Sequence, residues 1–179
     1  MSKFLIEDRP TLTCMIQART PERVSELIKK GLDGGTDAFA IQIDQLEREY
    51  RTESCYRVFF EKMGGKPVYV TDYRNNMSTG MTDGELADEL LTLAKSGAAL
   101  VDVMSDLYCP SKDEITRDSA ADAKQRELIN KIHSYGAEVL MSSHTYRFLN
   151  FDEVREIAKI QSDRGADIVK IVAAASSER

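Results

Sequence analysis

The sequence lacks the features that mark membrane, secreted and nucleic-acid-binding proteins. It has no apolar run long enough to span a membrane, and its first residues, Met1-Ser2-Lys3-Phe4, lack the apolar core of a signal peptide. It also has no excess of positive charge, because 24 Lys and Arg stand against 30 Asp and Glu, a formal net charge of −6. We therefore expect no membrane and no nucleic-acid partner.

Cysteine and histidine are both scarce. The three cysteines, Cys14, Cys55 and Cys109, are odd in number, far apart and outside any metal-ligand spacing. This pattern is typical of reduced thiols, so we expect a cytoplasmic protein without a metal site. Of the two histidines, His133 fits an ordinary surface position, which leaves His144 as the one with a candidate role in chemistry.

Short apolar segments alternate with segments of helical spacing along the whole chain. With 179 residues and 42% hydrophobic residues, the chain can bury one sizeable core, so we expect a single domain over residues 1–179. The pattern predicts strands over residues 11–17, 38–43, 67–71, 100–104, 138–144 and 168–173, and helices over 20–31, 53–63, 82–96, 118–135 and 150–164.

A glycine and a small or polar residue recur where a helix joins the next strand, at Gly35, Gly97, Gly136 and Gly165. This is a repeat of βα units, which favours a parallel sheet covered by helices. Six strands are too few for a closed eightfold barrel, which takes at least about 200 residues. We therefore predict either a smaller open sheet or a (β/α)8 barrel of the TIM type with about six βα strands present, incomplete at its C-terminal side.

Lys170 interrupts an apolar, β-branched segment of the kind that forms strands buried on both faces. A buried ammonium without a partner tends to lose its proton, and a neutral amine forms a Schiff base with a carbonyl compound. The alternative is a strand-end lysine whose stem is buried and whose amine reaches water.

His144 ends one predicted strand and Arg74 follows another, at the edge where the carboxyl ends of parallel strands meet. There His144 could act as the base beside Lys170, although a histidine satisfied by backbone groups fits the sequence as well. Arg74 is a candidate clamp for a carboxylate, because its planar fork matches that group, or else an ordinary surface arginine.

Three segments, taken in order, resemble type I 3-dehydroquinate dehydratase: Val-Thr-Asp-Tyr-Arg at Arg74, Met-Ser-Ser-His-Thr-Tyr at His144 and Gly-Ala-Asp-Ile-Val-Lys-Ile at Lys170. The resemblance implies a (β/α)8 barrel, dimeric, acting on a small oxo acid in the shikimate pathway without metal or cofactor. It also implies that Lys170 forms the imine, that His144 moves protons and that Arg74 helps to hold the substrate.

The chain departs from the family pattern at several substrate-binding positions. The Glu-Trp-Arg of the second strand is replaced by Ala40-Ile41-Gln42, and two further acidic positions fall on Ser78 and Met104. Asp44 and Asp102 do match acidic positions of the pattern. The resemblance thus implies that the catalytic pair is kept while the groups that hold the substrate, now including Gln42 and Ser78, are changed.

Three functions stay open on these residues. The chain is a dehydratase of this type, a relative that forms imines with another small oxo acid, as a lyase or aldolase does, or a non-catalytic binding or assembly protein. If the sheet stops after its sixth strand, its two outer strands have unpaired edges, and we expect an oligomeric or poorly stable protein.

Overall fold

The computed structural model describes residues 2–175. Met1 and residues 176–179, at the two ends of the predicted 1–179 domain, lie outside the described residues. Six parallel strands alternate with five α-helices in the described part. They are β1 (Thr13–Ile16), α1 (Pro21–Asp33), β2 (Ala38–Gln42), α2 (Glu53–Lys62), β3 (Val68–Thr71), α3 (Asp83–Ser96), β4 (Leu100–Met104), α4 (Ser119–Ser134), β5 (Glu138–His144), α5 (Phe151–Asp163) and β6 (Ile168–Val172).

The strands pair in sequence order, from β1 to β6, and every pair is parallel. The sheet curls into a half-barrel with the helices on its outer side. This confirms the predicted partial (β/α) barrel, and all six strands and five helices lie where the apolar pattern predicts them. None of the helices in residues 2–175 is long and apolar enough to cross a membrane.

Local sequence signals set the ends of these helices. The side chain of Thr20 accepts a hydrogen bond from the backbone N–H of Arg23, with Pro21 in the first turn of α1. Thr82 with Glu85, and Asn150 with Glu153, form capping boxes at α3 and α5. The four glycines at the helix-to-strand joins all have positive φ, from 73° at Gly35 to 111° at Gly97, which other residues rarely adopt.

The two faces of the sheet bury different clusters. Large aliphatic and aromatic side chains on the outer face, such as Phe39, Val101 and Val139, pack against the helices in the main core. The inner face carries a smaller cluster near the amino ends of the strands: Phe4, Ala38, Ala40, Tyr69, Leu100, Leu140 and Ile168. Further toward the carboxyl ends of the strands, the inner face carries polar groups.

The connection after β2 forms two short 3-10 helices, Ile43–Gln45 and Arg48–Tyr50, and buries Asp44. One expectation about exposure is wrong. Strand β6, expected to be buried on both faces, leaves Val169 38% and Val172 42% exposed. The reason is that, in the described part of the chain, β6 pairs only with β5.

Candidate active site

Strand register brings Lys170 and His144 to the same end of the inner face. Lys170 pairs with Ser142, and His144 lies two residues further along β5, opposite Val172. Because side chains alternate along a strand, Ser142 and His144 point to the same face as Lys170. The structure thus places these two groups on one face, toward the carboxyl edge of the sheet.

Asp102 lies at the centre of the polar groups on this face, and its side chain is fully buried. One of its oxygens, Oδ2, accepts hydrogen bonds from the hydroxyls of Tyr69 and, at 2.7 Å, of Tyr73. The other, Oδ1, accepts from Ser142 at 2.5 Å, and Lys170 Nζ lies 3.5 Å from Oδ2. We call these five residues the Asp102 cluster.

Burial, together with the negative charge of Asp102, raises the pKa of Tyr69 and of Tyr73 far above the usual value. Both phenols therefore keep their protons at any physiological pH. A carboxylate only accepts hydrogen bonds, so both hydroxyls must donate to Asp102.

Lys170 is less buried than its sequence surroundings predict, with one third of its side chain exposed. Its amine donates a hydrogen bond to the Tyr73 hydroxyl oxygen at 3.0 Å. The desolvation expected of a fully buried lysine is therefore only partial, and Asp102 supplies a nearby counter-charge.

His144 is held by a residue that the sequence did not single out. Glu114 Oε2 lies 2.7 Å from His144 Nδ1 and also accepts from the His144 backbone N–H at 2.9 Å. Since a carboxylate only accepts, Nδ1 carries a proton, which leaves Nε2 free for proton transfer. Burial alone would raise the pKa of Glu114, but the hydrogen bonds from His144 lower it overall.

Tyr73 connects the two candidate catalytic groups. Its hydroxyl accepts from Lys170, and its ring meets the His144 ring edge to face, with centroids 5.3 Å apart and planes at 88°. The amine and the imidazole thus both contact one aromatic side chain.

Arg74, the predicted carboxylate clamp, already uses its five N–H donors within the protein. Nε and Nη2 bind the two oxygens of Asp83 at 2.7 and 3.0 Å, and Nη1 binds Asp106 at 2.8 Å. The remaining contacts are to the backbone oxygen of Asp106 and to the sulfur of Met104. A substrate carboxylate would have to displace one of these partners.

The other two predicted substrate contacts lie in different environments. Gln42 lines the cavity at the carboxyl edge, where its side-chain oxygen accepts a hydrogen bond from Gln17. Ser78 is fully buried, donates to Asp72 at 2.5 Å and accepts from Arg51 at 2.9 Å. The structure thus brings Gln42 together with Arg74 and His144, and places Ser78 in a separate buried network.

This cavity has a volume of about 640 Å³, enough for a small organic acid. Its charged lining residues are Arg74, Asp106 and Glu114, with His144 beside them. Because Arg74 is paired with carboxylates, the cavity has no unpaired positive charge among the described residues. No group of three metal-ligating side chains is found within residues 2–175.

Sequence reasoning missed Tyr73, Tyr69 and Glu114 as members of the site. Tyr69 and Tyr73 are four residues apart along one extended segment, so their even spacing places them on one face, a signal that was available. Asp102, noted only as matching the family pattern, is a charge inside an apolar strand, which is the same signal that identifies Lys170. Glu114 lies in a loop with φ +49°, and no sequence pattern points to it.

Among solved structures, the chain resembles 3-dehydroquinate dehydratase from Enterococcus faecalis (TM-score 0.80, 18% identity, 99% of this chain and 72% of that one). It also resembles the type I enzyme from Clostridium difficile (TM-score 0.78, 17% identity, 97% of this chain and 67% of that one). A third similar structure is the enzyme from Geobacillus kaustophilus HTA426 (TM-score 0.75, 14% identity, 95% of this chain and 64% of that one).

These likenesses, all below 20% identity, show the shared fold, and the chain spans 64% to 72% of the length of these relatives. No curated protein sequence matches the chain. A family model does match, described as type I 3-dehydroquinase, and it covers residues 12–179, which include the whole sheet and every residue of the Asp102 cluster. The chain therefore belongs to the type I 3-dehydroquinase family.

Proposed function

We propose that this chain is a carbon–oxygen lyase of the 3-dehydroquinate dehydratase type, with Lys170 as the imine-forming nucleophile and His144 as the general acid and base. The observation that carries the proposal is the placement of both groups against Tyr73, which lines the cavity together with His144. Family membership supports the dehydratase class, and the substrate is a small oxo acid.

In this chemistry the neutral Lys170 amine adds to the substrate ketone, and the resulting carbinolamine loses water to give an iminium ion. The iminium acidifies the adjacent C–H bond, whose proton passes to Nε2 of His144. The protonated imidazole then gives a proton to the departing hydroxyl group, which leaves as water. Hydrolysis of the iminium finally releases the unsaturated product and restores the amine.

The substrate-binding roles of Gln42, Arg74 and Ser78 belong to the proposal as well. Gln42 and Arg74 line the cavity and are placed to contact the substrate, whereas Ser78 acts through the network that it shares with Asp72. By family resemblance we also propose one barrel domain over residues 1–179, a dimer, a cytoplasmic location and a place in the shikimate pathway. These four expectations stay predictions.

The test of the lysine is reductive trapping. We expect borohydride added with 3-dehydroquinate to leave a covalent adduct on Lys170, detected by intact mass and peptide mapping, and Lys170→Met to abolish it. Lys159→Met, which removes an exposed lysine on α5, is the matched control and should leave trapping unchanged. An adduct that survives Lys170→Met would refute the assignment.

The test of the histidine separates imine formation from proton transfer. His144→Ala should lower turnover by roughly 100-fold or more, while borohydride still traps the adduct on Lys170. His133→Ala removes the histidine that binds Asp167 on the outer surface and should leave turnover unchanged. Equal losses in both variants would contradict the proton-transfer role.

A second candidate is imine chemistry on a different oxo acid. It is favoured by the saturated donors of Arg74 and by Gln42 and Met104 at positions where the family pattern has charged residues. A panel of oxo acids in the trapping assay decides between the two. It should include comenic acid, since the Clostridium difficile structure contains that compound in a covalently modified form.

A further inference from the structure

We infer that Tyr73 is a positioning residue for Lys170: its hydroxyl takes the hydrogen bond of the amine in place of the Asp102 carboxylate and keeps the amine available to a carbonyl compound. This inference rests on the proposed imine chemistry and adds a residue to it.

The direction of each hydrogen bond follows from what the groups can donate. Asp102 can only accept, and Tyr73 keeps its proton, so the Tyr73 hydrogen points to Asp102 Oδ2 at 2.7 Å. The lone pairs of the same hydroxyl then face Lys170, whose Nζ must be the donor over the 3.0 Å contact. A neutral amine that donates one N–H to Tyr73 has its lone pair directed elsewhere, where it can attack a carbonyl carbon.

The longer distance from Lys170 Nζ to Asp102 Oδ2, 3.5 Å, is consistent with this arrangement. Tyr73 takes up an acceptor position on the carboxylate that the lysine would otherwise occupy. A direct ion pair would favour the charged ammonium, which is not a nucleophile. The Tyr73 hydroxyl therefore gives the amine a neutral acceptor for its hydrogen bond, while the carboxylate stays at 3.5 Å as a counter-charge.

Tyr69 offers a matched control within the same cluster. It lies four residues before Tyr73 on the same face, and its hydroxyl donates to the same oxygen, Asp102 Oδ2. No hydrogen bond joins Tyr69 to Lys170 in the part of the chain that the structure describes. Removing either hydroxyl costs Asp102 one donor, but only the Tyr73 hydroxyl contacts the lysine.

The groups that face Lys170 come from three strands. They are Asp102 on β4, Tyr69 and Tyr73 at and just beyond β3, and Ser142 and His144 on β5, with Glu114 behind His144. Asp102 and Glu114 carry the negative charges, and Tyr73 lies in hydrogen-bond contact with Lys170. A change in the charge state of the amine after a Tyr73 substitution is therefore attributable to Asp102.

The experiment measures the reactivity of Lys170 with a generic carbonyl compound. Glyoxylate with cyanoborohydride converts a neutral lysine amine to its N-carboxymethyl derivative, with cyanoborohydride supplying the hydride that reduces the imine. The rate at Lys170 is followed by peptide mapping from pH 6 to 10 in the wild type, Tyr73→Phe and Tyr69→Phe, with a thermal melt of each protein.

We expect Tyr73→Phe to move the pH dependence of labelling to higher pH and to slow labelling about fivefold or more near pH 7. A shift of one pH unit corresponds to about a tenfold change in the neutral fraction of an amine. Tyr69→Phe should slow labelling less than Tyr73→Phe does, because it removes a donor from Asp102 but no contact with the amine. Asp102→Asn provides a second, independent measurement. Asp102→Asn should speed labelling near pH 7, because it removes the negative charge beside the amine. Adding Tyr73→Phe to Asp102→Asn should then have no further effect.

Each result bears on a different statement. Labelling that is unchanged in Tyr73→Phe, or slowed equally in Tyr69→Phe, overturns the role of Tyr73. If Tyr73→Phe still slows labelling when Asp102→Asn is already present, the role of Tyr73 is also overturned. Position 102 then has no carboxylate that could pair with the amine. If Lys170 in the wild type is labelled no faster than exposed Lys159, the proposed imine chemistry itself fails.

Discussion

Individual buried charges in this protein lie beside partners that control their ionisation. Arg51 and Asp72 are an example, since the side chain of Arg51 is 4% exposed and that of Asp72 is 0% exposed. Arg51 Nη1 lies 3.6 Å from the Asp72 carboxylate and 3.2 Å from the Glu89 carboxylate. One cation thus faces two carboxylates. Burial, followed by the negative charge of Glu89, raises the pKa of the Asp72 carboxyl to about 8.

This shift predicts how stability depends on pH. The unfolded chain has an ordinary aspartate pKa near 4, so the folded state binds the Asp72 proton more tightly than the unfolded state does. The contribution of Asp72 is therefore fully present below about pH 4 and is lost as the pH rises to about 8. The free energy of unfolding of the wild type should fall across this window.

Asp72→Asn should flatten that decline, because the amide resembles the protonated acid and can still accept from Ser78. We expect the melting temperature of this variant to exceed that of the wild type by more at pH 9 than at pH 5, measured by circular dichroism. Asp33→Asn, at an exposed position on α1, is the control and should follow the wild-type profile. An identical pH slope in Asp72→Asn and the wild type would contradict the assignment.

At the scale of elements, the start of α3 supports the site directly. Asp83, its first residue, binds Arg74 through both carboxylate oxygens and accepts from the backbone N–H of Tyr108 at 2.6 Å. The capping box of Thr82 and Glu85 holds this turn in place. The position of Arg74 therefore depends on the helix end as well as on its own strand.

Removing the cap should have a measurable cost. Thr82→Ala should lower the free energy of unfolding by about 1 kcal/mol, because an N-terminal N–H of the helix loses its acceptor. Thr92→Ala, the same substitution inside the same helix, removes a hydroxyl that donates to the Asp88 carbonyl and should change stability by about 0.5 kcal/mol or less. Urea denaturation of both variants provides the comparison, and equal losses would contradict the capping role.

At the scale of the whole fold, residues 2–175 form a half-barrel whose outer strands, β1 and β6, each pair on one side. Apolar side chains are exposed there, with Met15 at 47%, Val169 at 38% and Val172 at 42%. Unpaired strand edges beside apolar side chains favour association between chains.

We therefore expect the 179-residue polypeptide to show a mass in light scattering that increases with concentration, and Val169→Lys to reduce that increase. A lysine at a strand edge opposes pairing with a second strand. Val154→Lys, at a valine of similar exposure on α5, is the control and should leave association unchanged. A monomer at every concentration, or equal effects of both substitutions, would show that the edges do not drive association.

Much of this architecture follows from local sequence. The six strands and five helices are predictable because apolar spacing, helix caps and glycines at the joins depend on residues close together in the chain. Parallel order then brings the strand ends to one edge, so the proximity of His144 and Lys170 also follows from the sequence. Exposure is harder to predict, as β6 shows, since it depends on which elements cover a strand.

The contacts that define the chemistry of the site were decided by tertiary structure. Lys170 and Tyr73 are 97 residues apart, and His144 and Glu114 are 30 apart, so no local pattern encodes either pair. Arg74 has the residue type of a substrate clamp, yet the fold surrounds it with Asp83 and Asp106. The sequence by itself determined which groups reach the edge of the sheet; packing decided their partners, because hydrogen bonds and charge pairing depend on distances of a few ångströms between separate elements.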